Sequence, residues 1–319
     1  MSYELERRVA IDAALMAAKL CERVRKSMPQ AIAKNDKSPV TIADYGSQAL
    51  ICRAIAEAFP HDAIIAEEDA TTLNDDNHLL AQATDSIRDF IPEATPERVI
   101  NWIGLGSGVI ADRYWTLDPI DGTKGFLRDD QYAVALALVE NGQVQLGVLV
   151  CPAYPLADGG KGALFTAIRG RGASMTPIGG DMPQGLKVAA GENADHLRFV
   201  ESVESGHGDQ SRQAAIAQAV GITAPSLRMD SQAKYAAVAS GEAVLYLRLP
   251  SPKTPDYREK IWDHAAGVLV VEEAGGKVTD MFGQPLDFSQ GSKLVKNQGT
   301  IVSNGIIHQT VIDALAALS

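Results

Sequence analysis

The sequence is poor in the residues that would build a disulfide-rich, zinc-binding or membrane-spanning protein. Its 319 residues include three cysteines, Cys21, Cys52 and Cys151, and no C-x-x-C pair. An odd, sparse set does not form a disulfide framework, so we expect three reduced thiols. The six histidines form no H-E-x-x-H motif, which argues against zinc. No apolar run approaches the roughly 18 residues of a membrane span.

An excess of basic residues is also missing. Asp and Glu number 40 against 29 Lys and Arg, which gives a formal net charge of −11. Binding to nucleic acid or to an anionic membrane requires a basic face, so we expect neither partner. The first eight residues are charged where a secretory signal would be apolar. We therefore expect a soluble, cytoplasmic protein.

Length and patterning indicate a two-part α/β protein, because roughly 150 residues make one domain. We place the boundary between residues 1–190 and 191–319, within a Gly- and Pro-rich stretch, 173–190, that we interpret as a connection. Apolar periodicity predicts helices at 4–27, 45–59, 211–220, 231–240 and 264–274. Runs of β-formers predict strands at 63–66, 114–117, 132–140, 144–150, 164–168, 198–203 and 243–249. The Asn141-Gly142 pair predicts a hairpin.

The most informative motif is Asp118-Pro119-Ile120-Asp121-Gly122-Thr123, directly after a predicted strand. Two carboxylates three residues apart on a turn stiffened by proline can hold hard cations through carboxylate and carbonyl oxygens. Glycine permits close approach of a ligand, and Thr123 offers a hydroxyl and an N–H at a helix start. Taken alone, the motif could equally be an ordinary acidic turn.

Two more acidic sites favour a cation-binding interpretation. Glu67-Glu68-Asp69 ends a predicted strand, where an α/β layer often binds ligands; alternatively it is a solvated charge run. Asp263 begins an apolar helix, and its alternative role is an N-cap. Four carboxylates without His or Cys favour magnesium.

Together these residues carry a family resemblance. Glu67-Glu68, the 118–123 motif and the W-D-H-A-A-G sequence at 262–267 resemble the three signature motifs of the inositol monophosphatase superfamily, which are magnesium-dependent, lithium-sensitive phosphatases. The resemblance implies a mixed α/β fold, a layered αβαβα sandwich. Residues 37–45 and 230–235 are similar to the 3'(2'),5'-bisphosphate nucleotidase branch, as is the long spacer between the first two motifs.

The resemblance implies a role for each matching residue. Two to three Mg²⁺ ions would be bound by Glu67, Asp118, Asp121, Asp263 and the carbonyl of Ile120. Asp44 and Thr123 would orient the attacking water. The N–H groups of Gly122 and Thr123 would hold the scissile phosphate. The nucleotide would contact His207, Ser231, Lys234, Arg248 and Asp263. Without the resemblance, Lys234 and Arg248 would be taken for solvated surface residues.

The implied activity is removal of the 3'-phosphate of adenosine 3',5'-bisphosphate, giving AMP and phosphate, with action also on 3'-phosphoadenylyl sulfate. The expected partner is this small nucleotide, and the expected assembly is a monomer. One rival is a phosphatase for inositol phosphates, such as inositol 1,4-bisphosphate, or for a sugar phosphate. A rival of another class is a non-catalytic nucleotide sensor. Asp44 and Thr123 argue against the sensor, because a pure binder needs no pair to activate water.

Overall fold

A computed structural model describes residues 2–27, 31–33, 39–191, 197–203, 210–251 and 253–317. Its helices are α1 (Glu4–Lys26), α2 (Ile42–Ala58), α3 (Thr71–Asp75), α4 (Asn77–Arg88), α5 (Pro96–Gly104), α6 (Thr123–Leu127), α7 (Gln210–Ala219), α8 (Ala233–Ala239), α9 (Ala265–Glu273) and α10 (His308–Ala317). A short 3-10 helix, Ile261–Asp263, directly precedes α9.

The strands form a large sheet, a smaller sheet and a two-stranded ribbon. They are β1 (Ala31–Ala33), β2 (Pro39–Thr41), β3 (Ala63–Ala66), β4 (Arg113–Asp121), β5 (Ala133–Glu140), β6 (Gln143–Pro155), β7 (Lys161–Ile168), β8 (Ala173–Pro177), β9 (Gln184–Gly185), β10 (Phe199–Glu201), β11 (Leu227–Arg228), β12 (Leu245–Arg248), β13 (Lys277–Thr279) and β14 (Thr300–Ser303). The large sheet runs in sequence order from β3 to β9, and the smaller one has the order β11-β10-β12-β14-β13. Both sheets are mixed, because β3–β4 and β10's two pairings are parallel and the others are antiparallel.

Three apolar clusters hold together five alternating layers of helices and sheets. The first joins α1, α2, α4 and α5 to one face of the large sheet, for example through Leu20, Ile51, Ile87, Val99 and Leu136. The second fills the space between the two sheets around α8 and α9, for example with Ala135, Tyr235, Leu269 and Val302. The third packs α7 and α10 on the outer face of the smaller sheet, with Ile216, Leu247 and Val311. The expected αβαβα sandwich is therefore confirmed.

Strand β5 shows why the large sheet is covered on both faces. Val134 and Leu136 contribute to the first cluster, while Ala135 and Ala137 contribute to the second. Successive side chains of a strand point to opposite faces, so a strand that is apolar throughout must be buried twice. Small alanines on the second face let α9 approach closely. The predicted turn into β6 is present, with positive φ at Asn141 and at its following glycine.

Most predicted elements are present, with three differences. The 173–190 stretch is not merely a connection, because β8 and β9 extend the large sheet there. Helix α2 begins at Ile42, so Asp44 lies in its first turn and not in the preceding loop. The helix predicted at 231–240 begins only at Ala233, since Ser231 has a φ of 65°. Positive φ at a residue with a side chain is incompatible with a right-handed helix.

The proposed division into residues 1–190 and 191–319 stays a prediction. The large sheet lies before the boundary and the smaller sheet after it, yet the second cluster contains residues from both sides. The three cysteines are free and buried, as expected. Within the described part of the chain, no helix combines the length and apolar character needed to cross a membrane.

Candidate active site

Two neighbouring strands of the large sheet place the first two acidic positions side by side. Ala66, the last residue of β3, pairs in parallel with Leu117 of β4. Glu67 and Asp118 therefore leave adjacent strands at the same edge, and the Glu67 N–H donates to the Leu117 carbonyl at 3.2 Å. A parallel pair brings two carboxyl-terminal strand ends together, which is why residues about 50 positions apart in sequence become neighbours.

The 118–123 motif forms the irregular end of β4. Its pairing with β5 shifts register between Asp118 and Asp121, and such a bulge redirects the side chains that follow. The Ile120 N–H donates to Asp118 Oδ1 at 3.1 Å, and Thr123 Oγ1 donates to the Ile120 carbonyl at 3.2 Å. Gly122 has a φ of 88°, a left-handed value that favours glycine. Helix α6 then begins at Thr123, as the sequence predicted.

Asp263 reaches this edge from the other half of the chain. It ends the 3-10 helix before α9, and the pKa shifts of Asp118 and Asp121 place its charge near both carboxylates. The alternative role of an N-cap is not supported. Within the described residues, His264 is the cap residue of α9, and it makes no capping hydrogen bond through its side chain.

The carboxylates at this edge repel one another. Burial, with the charges of Glu67, Asp121 and Asp263, raises the pKa of Asp118 well above its usual range. Burial and Asp263 also raise the pKa of Asp121 to about 6, although nearby cations and a backbone N–H oppose this. Crowded carboxylates cannot all be ionised at neutral pH unless cations neutralise them. The cluster therefore fits divalent cations with oxygen ligands, as magnesium requires.

Helix α2 supports the edge from behind. Ser47 Oγ donates to the Pro119 carbonyl at 3.0 Å, and Asp44 lies three residues earlier on the same helical face. Gln48 holds the neighbouring acidic segment, because its amide donates to the Glu68 carbonyl at 2.6 Å and accepts from the Glu68 N–H at 2.9 Å. The helix thus fixes two of the motif segments, and Asp44 is buried in its first turn.

Lys234 is buried and not solvated, so the surface alternative is wrong for it. Only 3% of the residue is exposed on α8. Its Nζ donates to the Met229 carbonyl at 3.4 Å and lies 5.2 Å from the ring centre of Tyr246. Burial lowers the pKa of Lys234 to about 8, while the charge of Asp121 opposes the shift. A buried cation beside the acidic edge is suited to hold an anionic group of a ligand.

Arg248 is less buried than Lys234, with 20% of its side chain exposed, but it pairs with two carboxylates. It ends β12, with its Nε 2.8 Å from Glu259 and its Nη2 3.5 Å from Asp263. Burial alone would raise the pKa of Glu259, but Arg248 and His264 lower it to about 2. Glu259, Asp263 and His264 also have potential metal-ligand atoms within 4.8 Å of one another. Since Arg248 lies closest to Glu259, we assign Glu259 to an ion pair and leave Asp263, whose contact with Arg248 is longer, to the acidic edge.

Sequence reasoning assigned no role to Glu259. His264 is fully buried; its Nδ1 lies 2.5 Å from the Tyr235 hydroxyl and its Nε2 lies 3.4 Å from Glu259. The network connects α8, the 3-10 helix and Arg248 behind Asp263. The only signal for Glu259 was its place in the 257–264 segment, because its partner Arg248 is distant in sequence.

Ser231 lies outside α8, the helix predicted at 231–240, so it does not share a helical face with Lys234. Ser231 precedes α8, and its Oγ accepts from the Ala233 N–H at 3.1 Å. Its Cβ lies 3.0 Å from where a Cβ on Gly122 would be, so the two predicted phosphate-side residues are in close contact. His207, the remaining predicted contact of the nucleotide, lies outside the described residues.

Comparison with known proteins identifies the class first. The sequence profile of the inositol monophosphatase family matches residues 4–318, and the chain belongs to this family. Among curated proteins it is 43% identical to a 3'(2'),5'-bisphosphate nucleotidase of Emericella nidulans, over 99% of this chain and 98% of the relative. It is 41% identical to another from Schizosaccharomyces pombe, over 100% and 97%. An inositol monophosphatase structure from Thermotoga maritima has a TM-score of 0.68, at 22% identity over 99% and 98% of the chains.

Proposed function

We propose that the protein is a magnesium-dependent phosphatase that hydrolyses the 3'-phosphate of adenosine 3',5'-bisphosphate to AMP and phosphate. The same site would accept 3'-phosphoadenylyl sulfate. The main support is the combination at one edge of repelling carboxylates with two cations, the buried Lys234 and the partly exposed Arg248. Relatives at 41–43% identity carry the name of this nucleotidase. We also propose that the protein acts as a cytoplasmic monomer.

The donor set fits magnesium. The family is generally dependent on Mg²⁺, and the cluster offers hard oxygen ligands that repel one another without a cation. Two to three ions would be held by Glu67, Asp118, Asp121, Asp263 and the Ile120 carbonyl. That carbonyl has a second lone pair, so it can accept from Thr123 and still bind a cation. Bound magnesium would lower the pKa of a water and neutralise charge on the transferred phosphoryl group.

The remaining residues would bind and orient the reactants. Asp44, in the first turn of α2, and Thr123, at the start of α6, would accept from the attacking water. The N–H groups of Gly122 and Thr123 would donate to the oxygens of the scissile phosphate. Lys234 and Arg248 would hold the other phosphate, with Ser231 and His207 along the nucleotide. Phosphoryl transfer depends mainly on such positioning and charge stabilisation.

The first test is phosphate release from a panel of substrates at saturating Mg²⁺. The panel contains adenosine 3',5'-bisphosphate, its sulfated form, inositol 1-phosphate, inositol 1,4-bisphosphate and fructose 1,6-bisphosphate. We expect the highest kcat/KM for the two nucleotides. A preference for an inositol phosphate would replace the proposal by its nearest rival. Tight nucleotide binding without phosphate release would indicate the sensor.

A second test separates recognition from chemistry. A charge-assisted contact contributes about 1.5–3 kcal/mol, so Lys234→Met should lower kcat/KM for adenosine 3',5'-bisphosphate by roughly 10- to 150-fold. Adenosine 3'-monophosphate lacks the 5'-phosphate and should be affected little. Thr123→Ala is the matched control, because it should slow both substrates alike. Equal losses on both substrates in Lys234→Met would remove this residue from 5'-phosphate recognition.

Arg248 needs a different design, because its removal leaves Glu259 buried without its counter-charge. Arg248→Met should therefore be compared with the double variant Arg248→Met/Glu259→Gln. The double variant restores neutrality, so any loss that persists for adenosine 3',5'-bisphosphate, and not for the 3'-monophosphate, reports lost phosphate binding. Recovery of activity in the double variant would mean that Arg248 serves only to neutralise Glu259.

A further inference from the structure

Gln232 occupies a position between the two halves of the acidic edge. Only 1% of this residue is exposed. Its backbone N–H donates to Asp121 Oδ2 at 2.5 Å. Its side-chain amide donates to the Trp262 carbonyl at 2.9 Å and accepts from the Gly267 N–H at 3.0 Å. One neutral residue thus hydrogen-bonds to a carboxylate at the end of β4 and to the backbone on both sides of Asp263.

Gln232 connects two acidic segments whose carboxylates oppose close approach. Asp121 belongs to the large sheet and Asp263 to the turn before α9, and their like charges repel. A lysine or arginine at position 232 would hold them by neutralising charge, but it would compete with a metal ion. An uncharged amide links the segments without contributing charge, and so leaves the carboxylates available to a cation.

We propose that Gln232 is a positioning residue that fixes the separation of Asp121 and Asp263 and thereby preforms the metal site. The inference rests on the proposed function, since it takes both carboxylates as metal ligands. Groups that orient metal ligands through hydrogen bonds typically change metal affinity by about 10- to 100-fold when they are lost. Gln232 acts on one ligand directly and on the other through its neighbouring backbone.

The segment around Gln232 is itself anchored, which a positioning role requires. Asp230 forms an ion pair with Arg128 at the end of α6. A Cβ on Gly125 would lie 3.0 Å from an Asp230 carboxylate oxygen, so the turn after β4 packs directly on this segment. Because contacts hold this segment at residues 230 and 232, the Gln232 amide has a fixed position.

The test is metal binding by Gln232→Met, which keeps the backbone N–H and the side-chain length but removes both side-chain hydrogen bonds. Mn²⁺ affinity, measured by electron paramagnetic resonance without substrate, should fall about 10- to 100-fold. The Mg²⁺ concentration for half-maximal activity should rise in parallel. At saturating Mg²⁺ we expect kcat to recover to within several-fold of wild type, since every ligand is still present.

A matched control distinguishes positioning from a loss of stability. Asn304 is also a buried amide, 3% exposed, with three side-chain hydrogen bonds to backbone groups of Ala189, Ile306 and Ile307. It directly follows β14, at the end of the β12–β14 pairing that lies away from Arg248. Asn304→Leu should lower the Tm while its Mn²⁺ affinity stays within about twofold of wild type, because distant sites act independently.

Each outcome decides the proposal. Unchanged Mn²⁺ affinity in Gln232→Met, or an equal loss in Asn304→Leu, would overturn it. Asp121→Asn and Asp263→Asn separate this failure from a failure of the metal assignment, because both should weaken Mn²⁺ binding whether or not Gln232 matters. If neither variant weakens Mn²⁺ binding, both the metal-site assignment and the positioning role of Gln232 are wrong. Should Gln232→Met not fold, Gln232→Asn keeps the amide but is too short to reach both backbone partners, and the same measurements apply.

Discussion

The two ends of β4 carry charged clusters of opposite kinds, one balanced by an arginine and the other made of carboxylates that repel one another. At the start, Arg113 donates from Nε to both oxygens of Asp62, at 3.0 and 2.9 Å, and from Nη2 to Glu6 at 3.0 Å. It also pairs with Glu140. At the other end, Asp118 and its neighbouring carboxylates face one another, and their pKa values are raised. The first cluster is complete within the protein, whereas the second needs a cation.

The difference shows which acidic cluster is a functional candidate. Both groups consist of several carboxylates that are at least partly buried. What separates them is whether a cation of the chain already occupies the centre, as Arg113 does at the start of the strand. A cluster that the chain leaves in mutual repulsion destabilises the fold at neutral pH unless a bound cation relieves it. The same criterion excludes Glu259 itself, which Arg248 neutralises.

The largest expected effect is the loss of activity when a carboxylate at the end of β4 is neutralised. Asp118→Asn, Asp121→Asn and Asp263→Asn should each lower kcat/KM by more than about 100-fold, because even changes behind metal ligands cost about 10- to 100-fold. The metal-free variants should be no less stable than wild type, since repulsion is relieved. Near wild-type activity of any variant at saturating Mg²⁺ would remove that residue from the ligand set.

Removing the cation at the start of β4 should have the opposite effect, lowering stability with little change in activity. Arg113→Met leaves Asp62, Glu6 and Glu140 without their common partner, which should reduce the free energy of unfolding by about 3 kcal/mol. The kcat should change little below the transition temperature. Urea denaturation and phosphate-release kinetics on one preparation measure both. Arg7→Met, which removes an exposed pair with Glu4, is the control and should cost less than about 1 kcal/mol.

A smaller effect is the pH dependence of the metal-free protein. The pKa of Asp121 is raised to about 6 in the fold, so the folded state binds this proton more tightly than the unfolded state. The resulting stabilisation is present below pH 4 and is lost as pH rises through about 6. In the presence of EDTA, the free energy of unfolding of the wild type should therefore fall by about 1–3 kcal/mol, relative to that of Asp121→Asn, between pH 4 and 7.

Saturating Mg²⁺ should reverse this trend, because a bound cation favours the ionised carboxylate. The measurement is urea denaturation of both proteins across that pH range, with EDTA and with Mg²⁺. A difference between wild type and Asp121→Asn that does not change with pH in EDTA would mean that Asp121 is not destabilised by its neighbours. It would also weaken the contrast between the two ends of β4.

Local patterns predicted the elements that bear the site. The apolar spacing of α1, the hairpin at Asn141 and the short strand before Glu67 are all determined by nearby residues, and the structure has them close to their predicted bounds. Where prediction was wrong, a distant contact had changed the local conformation. Ser231 looked helical by pattern, but it packs against Gly122 with a positive φ.

The sequence by itself indicated an α/β protein and its acidic motifs, because periodicity and motif chemistry depend on short segments. The αβαβα sandwich was implied by the resemblance of those motifs to a known family. Only the tertiary structure decided which charges meet. It brought Asp263 beside Asp118, paired Arg248 with Glu259 and placed the amide of Gln232 between two carboxylate-bearing turns. Those pairings depend on how the sheets and α9 pack, and burial determines how strongly the charges interact. No spacing along the chain encodes either quantity.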